Sequence, residues 1–487
     1  MGNDKFKAPL PPPSWDVPFE ATNPIIACPQ TLVDLGSPLL GRTDNCLVAN
    51  VYVPDTNKTN LPVIVIVHGG GFQTGAGFMY SPVSLVKTRD DIIAVTINYR
   101  LGVYGFLCLG NEDAPGNAGM KDQVAALRWV NRNIRHFGGN PDDVTISGCS
   151  AGGVSVDLLR IVTITDGLFN KVITESGAAV ATFSVQNNPI ENAKIFAREL
   201  GFNNVDDINA LSEFYKNATY ELFISKGDVI VNRPDGSILF SPCVENDIGV
   251  EMFLDDAPIN IIRNGRNKAM PVLYGFSNME GLYFIAEYDK WLNMINENFT
   301  QFIPVDLNIE NYEEREAVAN QIKEFYFGDQ PVTDASYLSI ADYFSDIIFV
   351  CAMLRSVTLS ADASNDSKFF VYEYSFIHPQ SLLPGADHCD QHMLIFDEDD
   401  SSLPEDYKKI KALINKVYTD FVTSGKPVSE DSVLPAWPPA SALRYPQMAI
   451  GPSASLQGRT YRERTEFWDQ LYDKYYHAPI PPSNDAV

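Results

Sequence analysis

A serine with the surroundings of a nucleophile stands between a predicted strand and a predicted helix. The short β-branched run 144–146 is followed, after Ser147, by Gly148-x-Ser150-x-Gly152 and then by Gly153. A serine hydroxyl is a weak nucleophile, and it must project from its backbone to meet both a base and a carbonyl carbon. A sharp strand-to-helix turn would hold it there, and flanking glycines leave room because they carry no Cβ. The alternative interpretation is a glycine-rich turn with a capping serine.

A second glycine-rich segment could supply hydrogen-bond donors for the negative oxygen of a tetrahedral intermediate. Glycines 69–71 follow the apolar run 62–67 and His68. Such residues can turn their N–H groups toward an external oxygen, and losing one donor typically costs roughly 10²–10³ in rate. We expect the N–H groups of Gly70 and Gly71 to act with that of Ala151. The alternative is a glycine turn without chemistry.

Activating the serine requires a base and a carboxylate. Histidine has a pKa near neutrality, and three of the six histidines remain as candidates: His378, His388 and His392. The carboxylate must fix the imidazole tautomer and stabilise the imidazolium. Glu280 follows the predicted strand 271–276, at the carboxyl end where α/β sites gather. The chain order serine, glutamate, histidine is one that α/β enzymes use when their nucleophilic serine lies on a strand-to-helix turn.

The elements predicted along the chain would bring these segments together. Apolar residues on both alternating faces at 62–67 and 92–98 indicate strands of a parallel sheet that helices cover on both sides. Strands alternate with helices throughout, which predicts a mainly parallel, doubly wound α/β sheet. Segments 190–265 and 283–365 are expected to form helical caps over it. The other predicted strands are 45–53, 171–174 and 368–376, and the predicted helices are 119–137, 407–423 and 462–475.

Composition and charge limit the classes of partner. The 487 residues carry a formal net charge of −26, which would repel nucleic acid and anionic membranes. The sequence has no run of 18 or more apolar residues, so no membrane span is predicted. The first residues lack the apolar segment of a signal peptide. The seven cysteines include no C-x-x-C pair, and the acidic run 397–400 lacks the ligand spacing of a calcium loop, so no metal site is expected. Candidate glycosylation sites are Asn57, Asn217, Asn298 and Asn365.

Taken together, these segments resemble the carboxylesterase/cholinesterase family, the type-B carboxylesterases, and in particular insect carboxylesterases. The resemblance covers nearly the whole chain and implies an α/β-hydrolase fold with helical cap insertions, as a single domain over residues 1–487. The family usually has two or three strands before the segment that here starts at Lys5, so these N-terminal strands are expected to be missing. The motifs that carry the resemblance are at 27–30, 44–47, 98–102, 116–123, 137–141 and 148–152.

The resemblance implies roles for the candidate residues. The segment 385–388 matches the family motif Gly-Ala-x-His, which selects His388 as the base. Ser150 would be the nucleophile and Glu280 the triad acid, with Gly70, Gly71 and Ala151 as oxyanion donors. The implied reaction is hydrolysis of small to medium hydrophobic carboxylic esters through an acyl-enzyme. It needs no cofactor or metal, and the partner is a small-molecule ester.

The same resemblance implies two structural features. Cys28 and Cys46 occupy the positions of the first disulfide of the family, which would require an oxidising compartment and hence favours secretion. A cytoplasmic location is the alternative, since no signal peptide is recognised. Arg100 and Asp122 match a buried ion pair that holds the sheet to the long helix.

Departures from the family pattern bear on the substrate. Cys149 stands where cholinesterases have Glu, and no tryptophan lies between Cys28 and Cys46. Both differences argue against a quaternary ammonium substrate, which needs an aromatic face and nearby negative charge. One alternative is a hormone- or pheromone-specific esterase, in which Ala178 and Ala179 would widen the acyl side. Another is a catalytically inactive, neuroligin-like binding protein. The sequence makes no prediction of oligomeric state.

Overall fold

A computed structural model provides the coordinates of the chain. Two of the sequence features, Asn365 and the acidic run 397–400, lie outside the residues that it describes. The structure describes residues 4–23, 25–30, 41–42, 45–89, 91–226, 233–266, 268–364, 366–396, 401, 403–430, 432–441 and 444–483.

A nine-stranded sheet forms the centre of the molecule, and a separate parallel pair is formed by β1 (Ile26–Ala27) and β2 (Gly41–Arg42). The strands of the large sheet are β3 (Ala49–Tyr52), β4 (Leu61–Val67), β5 (Ile93–Ile97), β6 (Gly139–Cys149), β7 (Lys171–Glu175), β8 (Pro271–Ser277), β9 (Lys368–Tyr374), β10 (Gln447–Ile450) and β11 (Ala454–Gln457).

The order of these strands across the sheet is β11-β10-β9-β8-β7-β6-β4-β5-β3. Only the two outermost pairs, β3 with β5 and β10 with β11, are antiparallel among these strands. The predicted mainly parallel α/β sheet is therefore confirmed. The carboxyl ends of the parallel strands meet at one edge, where sites gather in α/β proteins.

Strand β4 is buried on both faces, as its uninterrupted apolar run predicts. Val63, Val65 and Val67 pack into the larger of two apolar clusters, which also contains Val124 and other apolar residues of the long helix after β5. Ile64 and Ile66 point the other way, into a second cluster with residues of a helix near the C-terminus. Helices on both sides of the sheet follow from this alternation.

The remaining regular structure of the described residues is helical. The predicted helix 119–137 is α-helical to Asn133 and continues as a 3₁₀ turn over Ile134–Phe137. The α-helices are α1 (Val83–Arg89), α2 (Gly102–Phe106), α3 (Ala118–Asn133), α4 (Ala151–Ile161), α5 (Pro189–Glu199), α6 (Ile208–Asn217), α7 (Tyr220–Ile224), α8 (Pro258–Arg263), α9 (Tyr288–Glu297), α10 (Tyr312–Phe327), α11 (Tyr337–Phe344), α12 (Cys351–Ala363), α13 (Asp390–Met393), α14 (Glu405–Ser424) and α15 (Arg462–Tyr475).

Some boundaries differ from the sequence-based predictions. The strand predicted at 45–53 is limited to β3, because only its residues 49–52 pair with β5. The pattern did not indicate β10 and β11, which have four residues each and so carry little periodicity. The end of α14 lies where Gly425 adopts a left-handed backbone with φ of 70°, a conformation that favours glycine.

A buried ion pair joins the segment after β5 to α3. The Nε and one terminal nitrogen of Arg100 donate to the two carboxylate oxygens of Asp122 at 2.7 and 2.6 Å, and the Arg100 backbone N–H donates at 3.0 Å. Both residues are buried. The pair therefore fixes α3 against the end of β5, which lies next to the edge strand β3.

Among the residues that the structure describes, one helical stretch is long and apolar enough to cross a membrane. It spans Asp334–Ala363, and 78% of its apolar window is buried inside the protein.

Candidate active site

Ser150 lies on the sharp turn between β6 and α4. Its backbone angles are φ 59° and ψ −127°, which a non-glycine residue adopts only when its surroundings enforce them. The Ser150 N–H donates to the Glu175 carbonyl at 3.0 Å, and the Ser150 carbonyl accepts from the Val154 N–H at 2.9 Å. A Cβ on Gly152 would come within 2.2 Å of the Val67 carbonyl oxygen, so glycine is required there. The side chain of Ser150 consequently stands clear of the sheet.

The glycine loop lies directly beside this turn. Strands β4 and β6 pair so that Val67 faces Gly148, which brings the residues that follow each strand together. A Cβ on Gly69 would lie 2.6 Å from the Cys149 carbonyl oxygen, so glycine permits the close approach. Gly70 and Gly71 adopt positive φ values of 106° and 58°. Among the described residues, none accepts a hydrogen bond from the backbone N–H of Gly70 or Gly71.

His68 supports the loop and stays uncharged. Its ring stacks on Tyr99 with centroids 4.3 Å apart, and its Nδ1 lies 2.8 Å from the Gly69 carbonyl oxygen. Burial lowers the pKa of His68 to about 4. A neutral imidazole without access to solvent is a structural part of the loop.

Glu280 and His388 are in direct contact although 108 residues separate them. The Nδ1 of His388 lies 2.5 Å from Oε2 of Glu280, whose side chain is fully buried. The other oxygen, Oε1, accepts from the Ser176 hydroxyl at 2.6 Å and from the Ser277 N–H at 2.8 Å. A carboxylate held in this way orients the imidazole and leaves Nε2 as its free nitrogen. The geometry is that of a base with its orienting acid.

Aromatic rings form the wall around His388. Phe349 stacks on the imidazole at 4.2 Å, and Tyr283 lies at 5.6 Å.

The loop that carries His388 is tied to the segment after β8, since the Ala386 N–H donates to Oδ1 of Asn278 at 2.9 Å. Burial raises the pKa of the neighbouring Asp387 to about 6. The His388 side chain is 10% exposed.

A disulfide brings the turn of Ser150 next to the loop of His388. Cys149, which precedes Ser150, is bonded to Cys389, which follows His388, with Cα atoms 6.2 Å apart. The Ser150 hydroxyl itself makes no hydrogen bond with His388 or with any other residue that the structure describes. In the absence of substrate such bonds are often long or poorly aligned.

A second layer of polar groups lies behind Glu280. The amide of Gln391 donates to the Ser176 hydroxyl at 3.0 Å and accepts from the Ser277 hydroxyl at 2.7 Å, so it holds both residues whose other hydrogen bonds go to Glu280. Glu175 accepts from the hydroxyl of Tyr372, and burial raises the pKa of this glutamate to about 7. The sequence motifs did not indicate this layer. Its glutamine and serines contact partners that are distant in sequence, and no local pattern marks such residues.

The other two candidate histidines lie away from Glu280. Burial lowers the pKa of His392 to about 3, and its Nδ1 is 3.2 Å from the Tyr418 hydroxyl. His378 packs edge-on against Tyr407 at 4.6 Å. Of the three candidates, His388 is the one whose ring contacts the Glu280 carboxylate.

The remaining predicted residues fall outside this centre. Cys28 and Cys46 form a disulfide, and a further one joins Cys108 to Cys243, a pairing that sequence spacing did not indicate. Ala178 and Ala179 are fully buried. Within the described ranges, no group of three or more His, Cys, Asp or Glu residues could hold a metal ion. The sequon asparagines that the structure describes are all exposed: Asn57, Asn217 and Asn298.

Comparison with known proteins identifies relatives along nearly the entire length. A profile of the "Carboxylesterase family" matches residues 1–468. "Esterase FE4" from Myzus persicae is 34% identical over 467 residues, which cover 90% of this chain and 80% of that protein. A "Carboxylic ester hydrolase" from Bombus ignitus is 30% identical over 498 residues, which cover 97% of this chain and 88% of that protein.

A solved structure shows the same fold. The crystal structure of juvenile hormone esterase from Manduca sexta, with OTFP covalently attached, is similar with a TM-score of 0.85 at 27% sequence identity. The similarity covers 97% of this chain and 93% of that one.

Proposed function

The chain belongs to the carboxylesterase family, and from that premise we propose that it hydrolyses carboxylic esters by a serine-hydrolase mechanism with Ser150 as nucleophile. The observation that carries the proposal is the contact between His388 and the buried Glu280, beside the strained turn that presents Ser150. Three segments far apart in sequence meet at the carboxyl edge of the sheet, which supports assigning to them a nucleophile, a base and an orienting acid.

In the proposed first half-reaction, Ser150 Oγ attacks the ester carbonyl carbon while Nε2 of His388 takes the hydroxyl proton. Glu280 stabilises the imidazolium that forms, without itself becoming protonated. The carbonyl oxygen becomes an oxyanion, and the N–H groups of Gly70, Gly71 and Ala151 are the donors that we assign to it. The imidazolium then gives its proton to the departing alcohol, leaving an acyl group on Ser150.

In the second half-reaction, water replaces the alcohol. His388 removes a proton from the water as it attacks the acyl carbon, and the same donors stabilise the second tetrahedral intermediate. Collapse returns the proton to Ser150 and releases the carboxylic acid.

We infer that the substrates are small to medium hydrophobic esters. The ring of Tyr283 beside His388 is 58% exposed and offers apolar surface to the substrate, while Phe349, which stacks on the imidazole, is buried. The net charge of −26 disfavours anionic ligands. A panel of p-nitrophenyl esters of increasing acyl length tests this point, and we expect kcat/KM to rise from acetate toward butyrate and hexanoate.

A hormone-specific esterase is a second candidate, favoured by the structural similarity to juvenile hormone esterase from Manduca sexta. For that activity, kcat/KM for juvenile hormone would exceed the values for simple p-nitrophenyl esters. A binding-only role, the other alternative, predicts that ester hydrolysis and phosphonate labelling are both absent.

An extracellular, oxidising location fits the chain best. The three disulfides require such an environment to form and persist, and the described sequon asparagines are exposed. Treatment of the natively expressed protein with an N-glycosidase is expected to lower its apparent mass.

The nucleophile assignment is tested by Ser150→Ala, with Ser453→Ala at the exposed turn between β10 and β11 as a matched control. Removing Oγ should lower kcat for a p-nitrophenyl ester by at least about 10⁴-fold, because the chemical step loses its nucleophile. The control should keep kcat within twofold. Hydrolysis by Ser150→Ala at more than a hundredth of the wild-type rate would refute the proposed mechanism.

A further inference from the structure

We propose that the disulfide between Cys149 and Cys389 is a positioning device of the active site, which fixes the base against the nucleophile. The inference rests on the proposed function, because it assigns a role relative to Ser150 and His388. It goes beyond that function by naming two positioning residues that take no part in the bond making and breaking.

The first observation is adjacency. Cys149 immediately precedes Ser150 in the chain, and Cys389 immediately follows His388. The cross-link therefore joins the direct chain neighbours of the nucleophile and the base. The two cysteines are 240 residues apart in sequence, with Cα atoms 6.2 Å apart. Consecutive Cα atoms are about 3.8 Å apart, so the constraint acts within one residue of the nucleophile and of the base.

The second observation is how the loop of His388 is held. Its hydrogen bonds run to the acid side of the site: His388 to Glu280, Ala386 to Asn278, and Met279 to the Ala386 carbonyl. Among the residues that the structure describes, no hydrogen bond joins 385–390 to the nucleophile turn 148–152. The disulfide is thus the direct bonded tie between these two segments.

The third observation is the backbone conformation at Cys389, one end of the cross-link, and at Ser150, the residue that follows the other end. Ser150 has a φ of 59° and Cys389 a φ of 66°, which are backbone conformations that residues other than glycine rarely adopt without support. Each residue also stands immediately before a helix, α4 and α13 respectively. Cys149 is itself buried, at 3% exposure, so its end of the cross-link is anchored in the core.

The other two disulfides provide a contrast. Cys28–Cys46 closes a separation of 18 residues, and Cys108–Cys243 closes one of 135. None of these four cysteines neighbours Ser150, Glu280 or His388 in sequence. Removing Cys108–Cys243 should therefore reduce stability without altering the alignment of nucleophile and base.

The consequence is a prediction about rate. A reacting group that is displaced by about 1 Å can lose roughly 10²-fold in rate, because the near-attack geometry is lost. Without the cross-link, His388 would keep its bond to Glu280 while the whole acid–base unit moves relative to Ser150. Substrate contacts made elsewhere in the site would persist, so kcat should fall and KM should change little.

The test compares Cys149→Ala/Cys389→Ala with the control Cys108→Ala/Cys243→Ala at a temperature at which circular dichroism shows both to be folded. For the first variant we expect kcat for p-nitrophenyl butyrate, and the rate constant of labelling by a fluorophosphonate, to fall at least tenfold, with KM within threefold. For the control we expect a lower Tm but a kcat within twofold of wild type. Equal kcat and labelling rates in the first variant and the wild type would overturn the positioning role.

A second measurement does not depend on the variants folding. Peptide mapping of the active enzyme without reduction is expected to show the Cys149 and Cys389 peptides linked, and finding both as free thiols would overturn the inference. For the kinetic comparison, Cys149→Ser/Cys389→Ser is a second double variant that lacks the same cross-link. Failure of the wild type to be labelled at Ser150 would instead contradict the proposed function, so the two failures are distinguishable.

Discussion

The carboxylate of Glu280 uses both of its oxygens. Oε2 contacts His388, while Oε1 accepts hydrogen bonds from Ser176 and Ser277. A fully buried carboxylate is costly unless it is bonded in this way. The same hydrogen bonds that make its burial tolerable also fix its orientation, and through the contact with Oε2 they orient the ring of His388.

Glu280→Gln tests this orientation. An amide at this position can present an N–H group to Nδ1, which would favour the tautomer that carries its proton on Nε2 and cannot accept one from Ser150. We expect kcat to fall by roughly 10³–10⁴-fold. Glu287→Gln, at the other end of the same 3₁₀ segment (Glu280–Glu287), should keep kcat within twofold. A kcat for Glu280→Gln within tenfold of wild type would argue against the triad.

Glu175 makes folding stability depend on pH. Burial raises its pKa from 4.5 to about 7 in the folded protein, so the native state holds this proton more tightly than the unfolded chain does. The stability contributed by this proton is therefore present below about pH 4.5 and is lost as the pH rises through about 7. The shift corresponds to at most about 3 kcal/mol.

Glu175→Gln removes this titration while keeping an acceptor for the Tyr372 hydroxyl. We expect the decrease in the free energy of unfolding between pH 5 and pH 8 to be smaller in the variant than in the wild type, as measured by denaturant titration. Identical pH dependence in the two proteins would show that Glu175 does not hold the proton.

At the scale of elements, the contact between β4 and β6 places the glycine loop against the nucleophile turn. A Cβ on Gly69 would lie 2.6 Å from the Cys149 carbonyl oxygen and 3.1 Å from Cβ of Ser150. The first distance is shorter than real Cβ contacts, and the second is tighter than most of them. Because the first neighbour is a backbone atom, the loop or the turn must move.

Gly69→Ala should therefore lower kcat by roughly tenfold to a hundredfold, because it misplaces the nucleophile relative to the donors. Gly458→Ala is the control, because a Cβ there meets nothing within 4 Å. Steady-state kinetics on a p-nitrophenyl ester measure both. Equal kcat values for the two variants would mean that the loop does not need its close approach.

The ion pair between Arg100 and Asp122 joins α3 to the segment after β5. Asp122→Ala leaves a buried guanidinium without its partner, which should lower the free energy of unfolding by about 3–5 kcal/mol. The exposed pair of Arg128 and Glu251 is the matched comparison, and Glu251→Ala should cost less than about 1 kcal/mol. Denaturant titration compares the two, and equal losses would contradict the role of burial.

At the scale of the whole molecule, local pattern was sufficient to predict much of the fold. The apolar run of β4 and the strand-turn-helix around Ser150 carry their structure in adjacent residues, and α15 has the bounds that its periodicity predicts. The ends of short elements such as β3 depend on which residues find partners across the sheet. No stretch of sequence contains that information.

The site shows the same division. Ser150 and the glycine loop are recognisable from spacing, but His388 was separated from His378 and His392 only through the family motif. The contact of Glu280 with His388 and the bond of Cys149 to Cys389 arise when β6, β8 and β9 align their carboxyl ends. Pairings at such sequence separations follow from topology. The family resemblance implied the first of the two, and no pattern in the sequence indicated the second.

The most direct test of the central claim is to titrate the purified protein with a fluorophosphonate while following ester hydrolysis, and then to locate the adduct by mass spectrometry. We predict that activity falls in proportion to the label, reaches zero at one adduct per chain, and that the adduct lies on Ser150. Complete inactivation with Ser150 unmodified, or full labelling of Ser150 with hydrolysis intact, would contradict the account.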